Sequence, residues 1–344
     1  MIGGFRDIVG YAHSWAPCLM SLSEAVTPVT DRRPAVRQRP IDPTLSHLLR
    51  ATAVSHARVR RLHALRLVIS AGLAAAGLFA VFLGAVTGNP LSVTLSVIGV
   101  LWALAYSLGL ASWADRELRR AALLQEAFEV RFFQLPWNCI LAGDEIIPED
   151  VRHLSSRYRG DPPRDHYEMP NLPRPFDILA RQQQNLSWGS RVRRRYAQVV
   201  MAAMAGWAAL GLVTGMLRDS TITDLFVQWF VPSLGMFMLG WDTFRDQRTV
   251  AADRKRVCGY SRARCVQLAH ANLDPETNRD LCRMARQVQD QLFLSRRRAA
   301  RVPRWFFARY YTQDSSDFTA GLAETRTTLL AAGLNARVRR PPNP

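Results

Sequence analysis

The sequence predicts an all-α integral membrane protein: four transmembrane helices in two hairpins, with a helical cytoplasmic central insert and a C-terminal helical region. Three observations carry this. From Leu67 to Ala114 there is no Asp, Glu, Lys or Arg, and the run breaks once, at Gly88-Asn89-Pro90. A second apolar pair, Tyr196 to Leu217 and Leu225 to Trp241, is joined by the short polar connection Arg218 to Asp224. Arg218 is the only Lys or Arg in either inter-helix turn, so the rest of the basic residues lie on the opposite side of the bilayer. The mean hydropathy of −0.07 conceals the spans because basic polar stretches dilute it.

Residues 1–41 form a Pro-punctuated basic arm (Pro28, Pro34, Pro40, Arg32, Arg33, Arg37, Arg39) without periodicity, which predicts disorder. No apolar core of signal-peptide length is present in Met1 to Met20, and either methionine can be the start. Asp42-Pro43 is a helix opening, Asp as cap and Pro at the first helical position, and predicts an amphipathic cytoplasmic helix over 42–66 that runs into the first span.

The first hairpin covers 67–113. Leu67 to Val86 is long enough, at about 1.5 Å per residue, to cross the roughly 30 Å hydrocarbon core. The second hairpin covers 196–241; its last span is the shortest and contains Gln228 and Pro232. Arg58, Arg60, Arg61 and Arg66 precede the first span, Arg116, Arg119 and Arg120 follow the second, and Arg245, Arg248, Arg254, Lys255 and Arg256 follow the fourth. The positive-inside rule therefore puts both termini in the cytoplasm. Trp113, Tyr196 and Trp241 sit at the cytoplasmic span ends, where amphipathic rings lie among headgroups.

Between the hairpins, residues 114–195 are a cytoplasmic central segment. The second span continues as a helix through Leu124 and Phe128, breaks at Leu135-Pro136, and is followed by a short helix opened by Pro148-Glu149-Asp150. The Pro-rich stretch 160–175 is a loop, and a helix from near Phe176 enters the third span. Beyond the fourth span, 242–334 is a cytoplasmic helical region ahead of a disordered tail, 335–344. Asp274-Pro275-Glu276 opens a helix whose Leu281, Ala285, Val288 and Leu292 make an apolar face in need of a partner. The aromatic group Trp305, Phe306, Phe307, Tyr310 and Tyr311 fits packing against these helices better than a membrane-surface or ligand-stacking role.

The net charge of +17 would suggest nucleic acid for a soluble chain. For a membrane protein, attraction to the anionic leaflet, about 1 kcal/mol per basic residue near it, is the better reading, and no direct nucleic-acid binding is expected. Cys18, Cys139, Cys258, Cys265 and Cys282 are odd in number and contain no C-x-x-C pair, so neither disulfides nor a metal site are expected. No cofactor is expected. His153, His166, Asp161, Asp165 and Glu168 could be arranged as acid and base, but no nucleophile elbow or phosphate loop accompanies them, which argues against an enzyme.

The span cores hold no ionisable side chain, against a proton-coupled carrier. They offer close packing instead. Gly72, Ala76, Ala80, Gly84 and Gly88 recur every fourth residue on the first span, as do Gly99, Ala103, Ser107 and Ala111 on the second; Gly211 and Gly215 form GxxxG on the third. Contact within one protomer and an oligomer seam both fit. Four helices enclose too little room for water, so a pore requires a homo-oligomer.

Phe133-Gln134-Leu135-Pro136-Trp137-Asn138, Pro148-Glu149-Asp150-Val151, Leu172-Pro173, Arg193-Arg194-Arg195-Tyr196-Ala197, Gln289 to Phe293 and Arg296 to Phe307 together resemble the SMODS-associated four-transmembrane effectors, a bacterial family of pore-forming effectors. Of these, Leu135, Pro136, Trp137, Asn138, Arg193, Arg194, Arg195 and Tyr196 carry the likeness most strongly. The chain departs from the family pattern at Arg181-Gln182-Gln183-Gln184, Trp188-Gly189 and Arg304. The resemblance implies an antiviral, abortive-infection role at the bacterial inner membrane. There a synthetase makes a cyclic oligonucleotide or dinucleotide and the effector permeabilises the membrane. The candidate ligand contacts are Arg152, Arg157, Arg159, Arg164 and Arg181. The alternative is a non-conducting scaffold or signalling adaptor that docks a cytoplasmic partner through the Leu281 to Leu292 face.

Overall fold

The computed structural model describes residues 42–82, 90–160, 172–270 and 275–310, with single positions at 323, 326, 327 and 331. Expectations for the arm 1–41, for Gly84, Gly88 and Arg164, and for the tail 335–344 lie outside these residues. The described residues are predominantly helical and hold no strand. The helices are α1 (Pro43–Phe82), α2 (Pro90–Ala105), α3 (Ala111–Phe133), α4 (Cys139–Ala142), α5 (Pro148–Ser155), α6 (Phe176–Leu217), α7 (Ile222–Leu225), α8 (Val231–His270) and α9 (Pro275–Arg298). A π turn, Tyr106–Leu110, joins α2 to α3, and another, Phe226–Phe230, joins α7 to α8. Residues 304–310 are also helical.

Four rods result, Pro43–Phe82, Val93–Phe133, Phe176–Leu217 and Ile222–Leu268, each long and apolar enough to cross a membrane. This is a multi-pass membrane protein. A rod of 40 residues is about 60 Å long, twice the hydrocarbon core, so half of each projects beyond the bilayer. The two halves have opposite surfaces. In the spans, Val68, Phe79, Leu101, Leu108, Val213 and Met216 point outward, as side chains solvated by lipid do. Beyond the membrane, Leu48, Leu124, Phe128, Leu154, Ile178, Leu186, Leu281 and Leu292 are buried in one core, where water supplies the drive for burial.

Both hairpins point the same way. Arg218, in the turn after α6, lies 4.8 Å from the ring of Phe82 at the end of α1, and Ser96 of α2 donates to the Val227 carbonyl at 2.6 Å. The hairpin-2 turn uses left-handed Asp219 and a Thr221 cap on Asp224 N–H. α8 is the central rod, packed on α6, α1, α2 and α9. The two polar features of the fourth span, Gln228 and Pro232, lie at this centre. Proline has no N–H and would clash with the carbonyl four residues back, so the preceding π turn, with Val231 N–H on Phe226 O, accommodates it. Gln228 and Ser233 are buried between helices, and Trp207 donates to Ser233 Oγ at 3.2 Å.

Local rules are visible at the helix ends. Asp42 Oδ1 accepts from Leu45 N–H at 2.7 Å, the cap that opens α1. Gln134, left-handed at φ 53°, ends α3 just before Pro136. One expectation fails: Cys258, Cys265 and Cys282 are free, but Cys139 is disulfide-bonded. Cysteine spacing in sequence carries no information on which distant elements meet. Tyr196 also differs from the expected aromatic belt. Trp113 and Trp241 are exposed at the span ends, whereas Tyr196 packs edge-on against Phe306, ring centroids 5.3 Å apart.

Candidate functional site

The amphipathic helix α9 finds its partner in the extramembrane core, where Leu281, Ala285, Val288 and Leu292 are all buried. Along the same stripe runs a buried polar seam. Glu129 of α3, 1% exposed, accepts two hydrogen bonds of 2.8 Å from the Arg296 guanidinium. Gln289 Nε2 donates at 2.8 Å to both Glu126 and Glu129, and Gln182 of α6 reaches Gln289 Oε1 at 3.1 Å. Arg286 joins Glu126 at 2.5 Å to Asp290 at 2.6 Å. Gln125 donates to Glu129 at 3.0 Å while accepting from Arg301 at 2.7 Å.

The two seam carboxyls of α3, Glu126 and Glu129, are shifted in opposite directions. Burial raises both, but at Glu129 the Arg296 guanidinium and the hydrogen bonds from Gln289 and Gln125 together hold the carboxyl below its ordinary value. At Glu126 burial wins over Arg286, and the pKa is raised. Further along the seam lie two buried arginines whose described partners are neutral oxygens. Arg193 donates to Gln247 Oε1 at 2.6 Å and to the Ala299 and Ala300 carbonyls, at 3.5 and 3.0 Å. Burial, aided by repulsion from Arg301 and Arg296, pulls its pKa down to about 10. Arg254 donates to Ser295 Oγ and to Asn185. It crosses Gly189 so closely that a Cβ there would lie 2.0 Å from its Nη1.

The Leu135 to Asn138 turn plugs into the same seam. The Pro136 carbonyl accepts from Arg286 at 2.9 Å, and Trp137 Nε1 donates to Gly143 O at 2.7 Å. Asn138 caps α4 through Leu141 N–H and donates to Asp290 at 3.1 Å. The basic run before the third span divides by helix rotation. Arg193 faces in, Arg194 faces out, Arg195 lies over the Tyr310 ring at 4.7 Å, and Tyr196 meets Phe306. Phe307 stacks on Trp188 at 5.3 Å, so much of the aromatic cluster clamps the C-terminal segment to α6; Trp305 stays exposed.

In the spans, several glycines are contact points within the protomer. A Cβ at Gly99 would lie 2.8 Å from Pro232 Cα, at Gly211 2.1 Å from the Trp229 indole, and at Gly215 2.8 Å from Leu225. Gly77 meets the Gln228 carbonyl in the same way, at 2.5 Å. Gly72 has nothing within 4 Å. Ala80 and Ala103 are buried, Ala76 and Ala111 half-buried, and Ser107 is exposed.

Residues 34–325 match the SMODS-associating 4TM effector domain family. The chain belongs to this family. It is also similar to a probable CBASS effector molecule of Bacillus cereus (strain VD146), 25% identical over 217 residues that cover 62% of this chain and 70% of the relative. No solved structure matches. Within this effector domain the four described arginines named as ligand contacts occupy one short element with the turn after it and the start of another. Arg152, Arg157 and Arg159 are exposed on α5 and the turn after it, with Arg152 bonded to Glu149 at 2.8 Å and Arg157 to His153 at 2.7 Å. Arg181, half-buried on α6, bonds Gln184 one turn on. These bonds are local to each helix.

Sequence reading did not single out Glu126, Glu129 or Arg286, and it took Arg254 only as a basic flank and Gln182 only as part of a departure from the family pattern. A signal was present: Glu126 and Glu129 interrupt the buried face of α3, and Arg296 extends the Leu281, Ala285, Val288, Leu292 stripe by one further turn. A charge at an apolar register position marks a buried pair.

Proposed function

We propose that this effector is a pore-forming component of a bacterial nucleotide-second-messenger defence system, oligomerising in the inner membrane to permeabilise it when an anionic cyclic oligonucleotide or dinucleotide binds the cytoplasmic half. The observation that carries this reading is mechanical continuity. Each of the four rods passes without a loop from the bilayer into the core that holds the buried seam, so a rearrangement there tilts or rotates a span. The basic residues flanking the spans favour a cytoplasmic position for that half. The likeness to a probable CBASS effector supports the same kind of signal.

In this mechanism the ligand engages basic residues of the central segment, with Arg152, Arg157, Arg159, Arg164 and Arg181 the first to test, and binds the open assembly more tightly than the closed one. The small-residue faces left outward, such as Gly72, serve contacts between protomers. The test is dye release from liposomes containing purified protein, titrated with a panel of cyclic di- and oligonucleotides. Release with one member, lost in an Arg152→Gln, Arg157→Gln, Arg159→Gln triple variant, is expected; no release with any member refutes the mechanism.

A further inference from the structure

Where the first span begins, α1 and the second span part to leave a crevice of about 120 Å³, lined by Leu62, Arg66, Ile69, Trp102, Leu110 and Trp113 among others. This is several times the roughly 10–15 Å³ that one water needs, but the walls are almost wholly apolar, and a water requires two to four polar partners. Hydrocarbon is the occupant such walls accept. The crevice also sits at the right depth: Arg66 is the last charged residue before the span and Trp113 ends the second span, so its mouth lies at the headgroup boundary. Leu65, Leu67 and Leu108 nearby are exposed to the medium that bathes it.

The one charged group in the wall is poorly satisfied. Arg66 is 6% exposed, its guanidinium rests over the Tyr106 ring at 4.1 Å, and its Nε has no hydrogen-bond partner. A buried cationic donor without an acceptor is costly, and a phosphate oxygen is the acceptor that suits guanidinium best. We propose that the crevice is a phospholipid site, with an acyl chain against Leu62, Ile69 and Trp102 and an anionic headgroup phosphate on Arg66. Leu110 and Tyr106 belong to the π turn of the second span, so the bound lipid touches the bend of that rod. The inference stands on membrane placement alone and is independent of conduction.

The test is native mass spectrometry of the full-length protein released from micelles doped with phosphatidylglycerol or phosphatidylcholine of matched chains. One retained lipid is expected, with about fivefold preference for phosphatidylglycerol. Ile69→Trp, which fills the crevice, abolishes retention; Leu65→Trp, at the exposed mouth, does the same if the first variant fails to fold. Arg66→Gln levels the two lipids. Leu212→Trp, on an exposed face of the third span, leaves retention unchanged. Equal retention in wild type and both crevice variants overturns the proposal, as does equal loss in Leu212→Trp. Displacement of the lipid by soluble glycerol 3-phosphate also overturns it, since the acyl chain would then contribute nothing.

Discussion

Replacing Glu129 by Gln deletes the carboxylate that neutralises Arg296 and adds an amide N–H to a spot already crowded with donors. The two groups meet at 2.8 Å through both oxygens and are 1% and 6% exposed on their side chains, so water cannot take over. Unit charges about 4 Å apart interact by about 4 kcal/mol at an effective dielectric constant near 20. Orphaning one partner of a buried pair costs about 3–5 kcal/mol by mutational precedent. The two figures agree, and the setting adds to them, because Glu129 also offsets the charge of Arg254. The cost falls on the docking of α9, so amide hydrogen exchange in micelles is the assay, reading the free energy of local opening over Pro275–Arg298. Protection should fall by roughly two to three and a half powers of ten. Adding Arg296→Gln should restore a large part of it, since the orphaned charge is then gone. A fall of less than tenfold, or a double variant no better protected than the single one, would show that the pair does not hold α9.

Three further outcomes follow from the geometry. Gly211→Ala forces a methyl into the Trp229 indole and should destabilise by about 1–3 kcal/mol, read as a lowered thermal midpoint in micelles; Gly72→Ala, with open space around it, should leave the midpoint unchanged or raise it. Asn138→Ala removes both the α4 cap and the bond to Asp290, so proteolytic nicking around 134–147 should accelerate, consistent with a cap loss of about 0.5–2 kcal/mol. Burial, then repulsion from Arg301, holds the His56 pKa well below its usual 6.5, and burial brings His63 down to about 4. Below pH 6.5 the unfolded chain binds protons that these folded residues refuse, so stability falls as pH falls, by about 1.4 kcal/mol per unit for each. Thermal midpoints between pH 7.5 and 5.5 should show the decline, and His56→Gln should shallow it; an unchanged slope would count against a neutral buried His56.

Much of the fold was legible because it depends on local patterning. The charge-free run after Leu67, the helix starts at Pro90 and Pro275, the Asp42-Pro43 opening and the stop at Leu135-Pro136 are features of neighbouring residues that chain physics acts on directly. The α9 stripe was legible too, but its partner was not. The candidate site was far less visible. Of the arginines chosen in the central segment, Arg152, Arg157 and Arg159 are solvated on α5 and the turn after it, whereas the buried Arg254 sits in a run that read as an ordinary basic flank, and Arg193 and Arg296 were marked only as parts of the family motif.

By itself the sequence determined that four apolar segments cross a bilayer, which end of each carries the charge, and where several of the helices outside the membrane open. Tertiary structure alone decided which face of each rod turns inward. On an α-helix one residue is about 100° of rotation, so adjacent residues of one motif part company: Arg193 is buried and Arg194 is exposed, Gly77 is pressed against the fourth span and Gly72 is open. That rotation is settled by what each rod meets, chiefly the Pro232 π turn and the α9 seam, and no local pattern encodes the identity of a neighbour more than a hundred residues away.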